Sequence, residues 1–267
     1  MTDIRLHIED SGGDGRPVVL LHGWPLSAEA WAAQTAALTA AGHRVVVYDR
    51  RGFGRSDKPD EGYDYDTLAA DLDRVLTELD LRDVALVGFS MGGGEVARYV
   101  STYGEERVRS VVFAAAVPPY LLHADDNPEG PLTEEAYRSL RAGLEADRDA
   151  FFDEFTTGFF STEEGLQVSE AQRQEGIRLA LQSHQPAALG AMDAWATTDF
   201  RDDLGTITVP VLVLHGDGDQ TVPFEGSGRR THETIEHSEL HVISGAPHGC
   251  NVSHADEFNR ALIAFLG

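Results

Sequence analysis

A Gly-x-Ser-x-Gly sequence is centred on Ser90, directly after the apolar run of residues 84–87. A serine on a tight turn between a strand and a helix exposes its hydroxyl above the sheet, and the two glycines relieve the crowding around that turn. The following helix begins there with unbonded N–H groups, which favour negative charge. We predict that Ser90 is a nucleophile; the alternative is an ordinary glycine turn.

A serine hydroxyl needs a neighbouring base to remove its proton. The chain has eleven histidines, and most lie on predicted strands, helices or loops without glycines. His22 and His215 each end a predicted buried strand, and we interpret both as imidazoles that bond local backbone. His248 lies in the loop Gly245-Ala246-Pro247-His248-Gly249, between the last predicted strand and the last helix. That loop should open at the carboxyl ends of the strands, so we predict that His248 is the base.

The base needs a carboxylate that orients it. Asp217 and Asp219 both follow the apolar run that ends at residue 214. Two residues so close in a turn cannot both point at one histidine. Asp219 is further from the strand end and is predicted to be the orienting acid, whereas Asp217 is expected to stabilise the turn through backbone amides.

The negative oxygen of a tetrahedral intermediate requires two N–H donors. One is expected from the backbone of Met91, directly after the nucleophile. The other should come from the loop after the run 18–21, where Gly23 lets the chain turn and Trp24 offers its N–H. Pro25 has no N–H and restricts the conformation of Trp24. Trp24 could equally be a plain pocket wall, and both roles are compatible.

The surrounding pattern predicts a parallel sheet with crossover helices, because short apolar runs alternate with amphipathic stretches. Between residues 118 and 203 this alternation stops, and the composition favours several helices inserted into the sheet order. We therefore expect one domain, 1–267, with a core of 1–117 and 204–267 and a helical cap of 118–203. Asp66 is the predicted cap of a helix with apolar residues at 68, 72, 75, 76 and 79. The predicted strands are 4–8, 18–21, 45–48, 84–87, 108–116, 209–214 and 239–243, and the other predicted helices are 28–40, 95–103, 225–235 and 253–266.

Two further features are interpreted as structural. The loop 49–57 contains two glycines but lacks the full dinucleotide-binding pattern, so it is expected to be held by Arg–Asp pairs. Cys250 is the only cysteine and is expected to pack as a small apolar residue.

No cluster of residues has the spacing of metal ligands, so no metal is predicted.

Charge excludes several classes of partner. With 21 Lys+Arg against 45 Asp+Glu, the formal net charge is −24, which disfavours nucleic acids and anionic membrane surfaces. No apolar run approaches a membrane span and no signal peptide is visible, so a cytoplasmic protein is expected. Lys58 is the only lysine. The acidic, arginine-rich surface indicates either adaptation to high salt or a GC-biased genome.

Several stretches together resemble the α/β-hydrolase superfamily, and most closely its cofactor-free haloperoxidase (perhydrolase) and arylesterase branch. The chain order Ser90, Asp219, His248 is the one typical of that superfamily. The resemblance covers almost the whole chain and implies an α/β-hydrolase fold, with a mostly parallel eight-stranded sheet and an inserted helical cap. It also implies the same triad, and the amides of Trp24 and Met91 as oxyanion donors. The stretches are His22-Gly23-Trp24-Pro25, residues 49–57, residues 88–93, residues 215–219, Pro247-His248-Gly249, and the cap segments 119–122 and 126–130.

The resemblance implies acyl transfer from small carboxylic esters or acids to water or hydrogen peroxide, through an acyl-Ser90 intermediate and without haem, vanadium or flavin. Pro25 favours the peroxide branch, since related perhydrolases tend to have proline there. A serine at position 90 argues against dehalogenase or epoxide hydrolase activity, which uses an aspartate. Alternatives are a lactonase or γ-lactamase, a C–C bond hydrolase, or a small-molecule receptor, and a homo-oligomer is possible. The expected pocket residues are Pro25, Val117, Leu121, Phe155, Phe159, Trp195 and Val222.

Overall fold

A mostly parallel sheet lies at the centre of the computed structural model, which describes residues 4–267. Within that range seven strands form the sheet in the order β1-β3-β2-β4-β5-β8-β9, and β6 pairs with β7 in a separate hairpin. β1 is antiparallel to β3, and the other neighbours in the sheet are parallel. The strands are β1 (His7–Asp10), β2 (Pro17–Leu21), β3 (Arg44–Asp49), β4 (Val84–Phe89), β5 (Val108–Ala114), β6 (Ser161–Thr162), β7 (Gly165–Leu166), β8 (Val211–Gly216) and β9 (Glu239–Ile243).

Helices cover both faces of the sheet, as the continuous apolar strands require. Alternate residues of one strand enter different core clusters: Val19 and Leu21 of β2 face one, and Val18 and Leu20 face the other. The helices are α1 (Ala32–Ala40), α2 (Tyr65–Glu78), α3 (Met91–Tyr103), α4 (Glu134–Ala146), α5 (Arg148–Phe159), α6 (Glu170–Leu181), α7 (Gln185–Thr197), α8 (Arg201–Leu204), α9 (Gly228–Thr234), α10 (Cys250–Ser253) and α11 (Ala255–Leu266).

The expectation of eight strands is wrong for the described residues. The first predicted strand, 4–8, is observed as β1, which begins only at His7. The preceding residues are bound by a loop instead of a strand: Arg5 exchanges hydrogen bonds with Asp57, through its N–H and its carbonyl oxygen. His7 N–H then donates to Ser56 Oγ at 2.8 Å. These contacts with the loop after β3 account for the later start of β1. The seven strands predicted from the individual runs are all observed, so the eighth strand was expected only from the family resemblance.

Several element ends also differ from the predictions. Asp64, and not Asp66, caps α2, because its carboxylate accepts from Thr67 N–H while Asp66 already lies inside the helix. α3 begins at Met91, four residues earlier than expected, so that the helix starts immediately after Ser90. The strand predicted at 209–214 is β8, which begins after Pro210, since proline has no N–H for a ladder.

Five helices, α4 to α8, follow β5 and precede β8, in the stretch where the sequence lacks β-branched runs. The first four, α4 to α7, are the cap helices. They lie over the carboxyl ends of the strands. The Trp24 ring, just after β2, packs against Phe155 of α5 at 4.9 Å and Trp195 of α7 at 5.9 Å between centroids. Its Nε1–H donates to Ala188 O of α7 at 2.9 Å. Within residues 4–267, the helices are too short or too polar to cross a bilayer.

Candidate active site

Four strands of the sheet end next to the predicted site residues, at one edge of the sheet. β2 leads into the loop with Trp24, β4 into Ser90, β8 into Asp219, and β9 into the loop with His248. β5 lies between β4 and β8, so these strands are adjacent or separated by one strand. In a parallel sheet the carboxyl ends of the strands open on the same crevice. The sheet order therefore brings together residues that are up to 224 positions apart in sequence.

Ser90 has a backbone conformation that most side chains avoid, with φ 54° and ψ −119°. The turn is held on both sides, because Ser90 N–H donates to Ala114 O at 2.9 Å and Ser90 O accepts from Gly93 N–H at 3.0 Å. The flanking glycines are required by close approach. A Cβ on Gly88 would lie 2.5 Å from Gly92 O, and one on Gly92 would lie 2.5 Å from Leu21 O.

Ser90, His248 and Asp219 form a continuous hydrogen-bonded chain. His248 Nε2 is 2.9 Å from Ser90 Oγ, and His248 Nδ1 is 2.6 Å from Asp219 Oδ2. All three side chains are buried. With Asp219 ionised, Nδ1 carries the proton and Nε2 is free to accept the hydroxyl proton of Ser90, which is the arrangement that general-base catalysis requires.

The Asp219 carboxylate stays ionised although it is buried. Burial alone would raise its pKa, but the charge and hydrogen bonds of His248 and the hydrogen bond of His215 outweigh burial and lower the pKa to about 2. Its other oxygen, Oδ1, accepts from the N–H groups of Thr221 and Val222 at 2.9 and 2.8 Å. The acid is therefore rigidly held and charged at neutral pH.

Asp217 accepts a hydrogen bond from a backbone amide, as expected from sequence, but the amide belongs to another loop. Its Oδ1 accepts from Gly245 N–H at 2.5 Å. This bond joins the loop after β8 to the loop that contains His248, rather than closing the turn of Asp217 itself. Asp217 thus links the two loops that carry the acid and the base.

The loop with the predicted oxyanion donor lies against the nucleophile. A Cβ on Gly23 would be 2.8 Å from the Phe89 ring and 3.0 Å from Ser90 Cβ, so only glycine fits where this loop passes the nucleophile. His22 holds this loop: its Nδ1 is 2.9 Å from Gly23 O, and its Nε2 accepts from Arg50 N–H at 3.0 Å. Burial and the Arg50 cation lower the pKa of His22 well below its ordinary value, so this ring is neutral. The interpretation of His22 as a backbone-bonding residue is confirmed.

A buried ion pair lies behind the same loop. The Arg50 guanidinium contacts Glu95 Oε2 through Nε at 2.8 Å and donates through a terminal nitrogen to His22 O at 2.8 Å. The Tyr48 hydroxyl donates to the other carboxylate oxygen of Glu95. Glu95 belongs to α3, the helix that begins after Ser90. The pair therefore connects the nucleophile helix with the loop that carries Trp24.

The rest of the loop 49–57 is structural, as predicted. Asp49 accepts from Ala28 N–H and from Arg55 N–H, both at 2.8 Å. Arg51 forms two hydrogen bonds with Asp71 of α2, at 2.6 and 2.8 Å. Arg50 differs from the expectation because its partner is a glutamate and not an aspartate.

An apolar cavity of about 280 Å³ lies between the cap helices and the loop after β8. Of the predicted pocket residues, Leu121, Phe155 and Trp195 line it. Sequence reasoning missed the others, because the segments 131–140 and 220–223 carry no motif and meet only in the folded chain. The missed residues are Pro131, Leu132, Leu140, Gly158, Gln220, Thr221 and Pro223.

The remaining predicted pocket residues do not line this cavity, and three of them contact residues of the triad. Phe159 packs edge-on against the His248 ring, with 4.8 Å between centroids. Val222 N–H bonds Asp219 Oδ1, and Val117 N–H donates to Ser90 O at 3.2 Å. Pro25 is buried, and its peptide bond with Trp24 is cis.

Cys250 is fully buried two residues after His248. Burial, followed by the nearby Asp219 charge, raises the pKa of its thiol well above the ordinary value. The expectation that Cys250 packs as a small apolar residue is confirmed. Among residues 4–267, the His, Cys, Asp and Glu side chains form no group of three that could hold a metal ion.

Comparison with known proteins extends these observations. Residues 16–255 match a family described as having the alpha/beta hydrolase fold. A non-heme chloroperoxidase of Kitasatospora aureofaciens is 42% identical over 95% of this chain and 93% of its own length. A bifunctional esterase/perhydrolase of Acinetobacter calcoaceticus is 37% identical over 98% and 96%. The crystal structure of a bromoperoxidase from Bacillus anthracis is 52% identical and has a TM-score of 0.97, covering 98% of this chain and 95% of that one.

Proposed function

The chain belongs to the α/β-hydrolase family, and from that premise we propose that it transfers acyl groups from small esters or carboxylic acids to water or hydrogen peroxide through an acyl-Ser90 intermediate. Esterase, perhydrolase and haloperoxidase activities are those of its relatives. The observation that carries the proposal is the hydrogen-bonded chain from Ser90 through His248 to the ionised Asp219.

In the first half of the reaction, His248 Nε2 removes the proton from Ser90 Oγ as the oxygen attacks the acyl carbon. The negative oxygen that forms is stabilised by the backbone N–H groups of Met91 and Trp24. Met91 is the first residue of α3, so its N–H has no intrahelical partner and faces outward from the helix start. The C–O bond to the leaving group then breaks, and the leaving oxygen takes the proton from His248.

In the second half, water or hydrogen peroxide gives a proton to His248 and attacks the acyl carbon. Ser90 leaves and recovers the proton. Water yields the carboxylic acid, and peroxide yields a peracid. The peracid transfers its terminal OH oxygen, with its proton, to a bromide ion, which forms hypobromous acid and the carboxylate away from the protein. No step needs a redox group on the protein.

Residues 118–203 act as a cap over the site in this proposal. The cap helices supply Leu140, Phe155 and Trp195 to the cavity, and α5 places Phe159 on the His248 ring. These side chains exclude water and favour apolar acyl or alcohol groups. Pro25 is proposed to set the Trp24 carbonyl so that it accepts a hydrogen bond from bound peroxide.

The experiment compares the natural chain with Ser90→Ala in acetate buffer containing hydrogen peroxide and bromide, at low and high salt. Bromination of a reporter dye measures perhydrolysis, and cleavage of p-nitrophenyl acetate measures hydrolysis. Ser110→Ala is the matched control, because Ser110 is also a buried serine but lies on β5. Both activities should disappear in Ser90→Ala and persist in Ser110→Ala.

Four results separate the alternatives. Ester cleavage without bromination would make the protein a plain esterase or lactonase, and an unchanged ratio of the two activities in Pro25→Leu would contradict the role of Pro25. Activity that survives Ser90→Ala would refute the acyl-serine route. Absence of both activities at every salt concentration would favour a ligand-binding receptor, and a ligand-dependent melting temperature would test that.

A further inference from the structure

His215 is a fully buried histidine near the end of β8, and sequence reasoning assigned it only to backbone bonding. The structure shows more. Its Nε2 lies 2.9 Å from Val222 O and 3.2 Å from Asp219 Oδ2. A backbone carbonyl has no proton to give, so the hydrogen is on Nε2. The ring therefore donates one N–H that is shared between Val222 O and the carboxylate.

The opposite side of the ring indicates that His215 is neutral. Within the described part of the chain, Nδ1 has no hydrogen-bond partner. It faces the backbone of Gly228, where even a Cβ would come within 2.5 Å of it. A proton on Nδ1 would be a buried donor without an acceptor, which is unfavourable. The neutral form with the hydrogen on Nε2 pairs the one N–H of the ring and leaves Nδ1 as an acceptor without a partner, so no buried proton is unpaired.

Asp219 Oδ2 thus accepts from two imidazoles. His248 Nδ1 lies 2.6 Å from it and His215 Nε2 lies 3.2 Å from it. His248 must move its proton and change charge during the reaction, whereas His215 is held by Val222 O and by packing against Phe224. His248 therefore changes its protonation during the reaction, whereas His215 keeps its position and its hydrogen bonds.

We propose that His215 is a positioning residue for the triad: it holds Asp219 Oδ2 in line with His248 and withdraws part of the carboxylate charge from the His248 ring. The kinetic part of this inference rests on the proposed function, whereas the hydrogen-bonding part does not. A neutral donor on the carboxylate weakens the attraction that Asp219 exerts on the protonated form of His248. Without that donor, His248 should hold its proton to higher pH.

Within the described residues, few other titratable groups lie beside the Asp219–His248 pair. In residues 4–267, the titratable groups that act on Asp219 are the His248 and His215 rings, and the charge of Asp219 also reaches the buried Cys250 thiol, two residues after His248. The pKa of that thiol is raised, so it remains neutral. Ser90 Oγ faces His248 from the turn before α3, and Phe89 and Phe159 pack on the His248 ring from β4 and α5.

The experiment uses three variants of the full chain. His215→Phe keeps a ring of similar size and removes the N–H. His215→Gln keeps an N–H donor near the position of Nε2. Phe224→Leu is the packing control, because it changes the neighbour of the His215 ring, 5.6 Å away between centroids, and leaves the N–H in place. If His215→Phe does not fold, His215→Asn replaces it, since its shorter amide does not reach Asp219.

Two measurements are made on each variant. One is the pH dependence of kcat and kcat/KM for p-nitrophenyl acetate. The other is the NMR titration of the His248 ring without substrate. In His215→Phe we expect kcat to fall about tenfold, and both the acid limb of kcat/KM and the His248 titration to move up by about half a pH unit to one pH unit. In His215→Gln, kcat, the acid limb of kcat/KM and the His248 titration should all stay close to those of the natural chain.

A purely structural role predicts a different pattern, namely lower thermal stability and lower activity with an unchanged pH profile. That result in His215→Phe, or an equal shift in Phe224→Leu, or a failure of His215→Gln to restore the profile, would overturn the inference. If the natural chain does not cleave esters, the proposed function is wrong. The NMR titration still decides whether His215 acts on the Asp219–His248 pair.

Discussion

The buried pair of Arg50 and Glu95 offers a sharp test of how the oxyanion loop is held. Their side chains are 1% and 0% exposed, and the guanidinium approaches Glu95 Oε2 to 2.7 Å. Removing one partner of such a pair leaves an uncompensated buried charge, which costs about 3–5 kcal/mol. In Glu95→Gln the Tyr48 hydroxyl keeps an acceptor, but the Arg50 cation loses its counter-charge.

The expected result is a loss of about 3–5 kcal/mol in the free energy of unfolding, or about 6–20 °C in melting temperature for a chain of this size. Activity should fall as well. Arg50 bonds both the backbone oxygen and the ring of His22, and His22 bonds Gly23 O in the loop with the predicted oxyanion donor. Urea unfolding gives the stability, and ester cleavage below the transition gives the activity.

Two controls make the reasoning refutable. Glu134→Gln removes a carboxylate from the pair with Arg138, whose side chains are 50% and 75% exposed, and should leave stability unchanged within error. Replacing Arg50 and Glu95 together with methionine should recover most of the lost stability, because no buried charge remains. A loss below about 1 kcal/mol in Glu95→Gln, or a double variant no more stable than the single one, would refute the argument.

Three further outcomes are expected. Gly92→Ala places a Cβ 2.5 Å from Leu21 O, so the free energy of unfolding should fall by about 1–3 kcal/mol, with a large loss of ester cleavage. Gly158→Ala is the control, because its Cβ would meet nothing within 4 Å, and it should not lower stability. Equal melting temperatures of the two variants would contradict this. The Asp219 pKa is lowered from 3.8 to about 2, so its ionisation stabilises the fold above about pH 4 and this contribution is lost towards pH 2. The stability advantage of the natural chain over Asp219→Asn should therefore shrink by about 2 kcal/mol across that interval, and a constant difference would show that Asp219 is not selectively stabilised as an anion. With a net charge of −24, the melting temperature should rise as salt is added and then level off; a flat response in calorimetry would favour a GC-biased composition over adaptation to high salt.

Sequence patterns predicted most of the fold because the buried strands are continuous apolar runs and the glycines mark their turns. The runs beginning at Val18, Val45 and Val84 lie in strands of the structure. The family resemblance is confirmed by the matched family and by the bromoperoxidase structure. The eight strands expected from the resemblance exceed the seven observed in residues 4–267, and the predicted cap of α2 was wrong. The cap depends on which carboxylate a backbone N–H finds, and Asp64 and Asp66 are indistinguishable as capping residues by type alone.

The candidate triad could be proposed from the sequence because its chemistry restricts residue type and local context. A nucleophile between two glycines, an acid after one strand and a base after the next are visible in the order Ser90, Asp219, His248. Their catalytic roles stay a prediction, and the structure adds that the three side chains lie within hydrogen-bond distance.

Only the tertiary structure decided which groups surround those residues. The second imidazole on Asp219, from His215, the ion pair of Glu95 with Arg50, and the cavity lined by Leu140 and Thr221 join segments without a shared motif. Local sequence determines where strands end and turns begin, because backbone hydrogen bonding and hydrophobic burial act over a few residues. Contacts between distant loops depend on sheet order and side-chain packing, which exist only once the chain has folded.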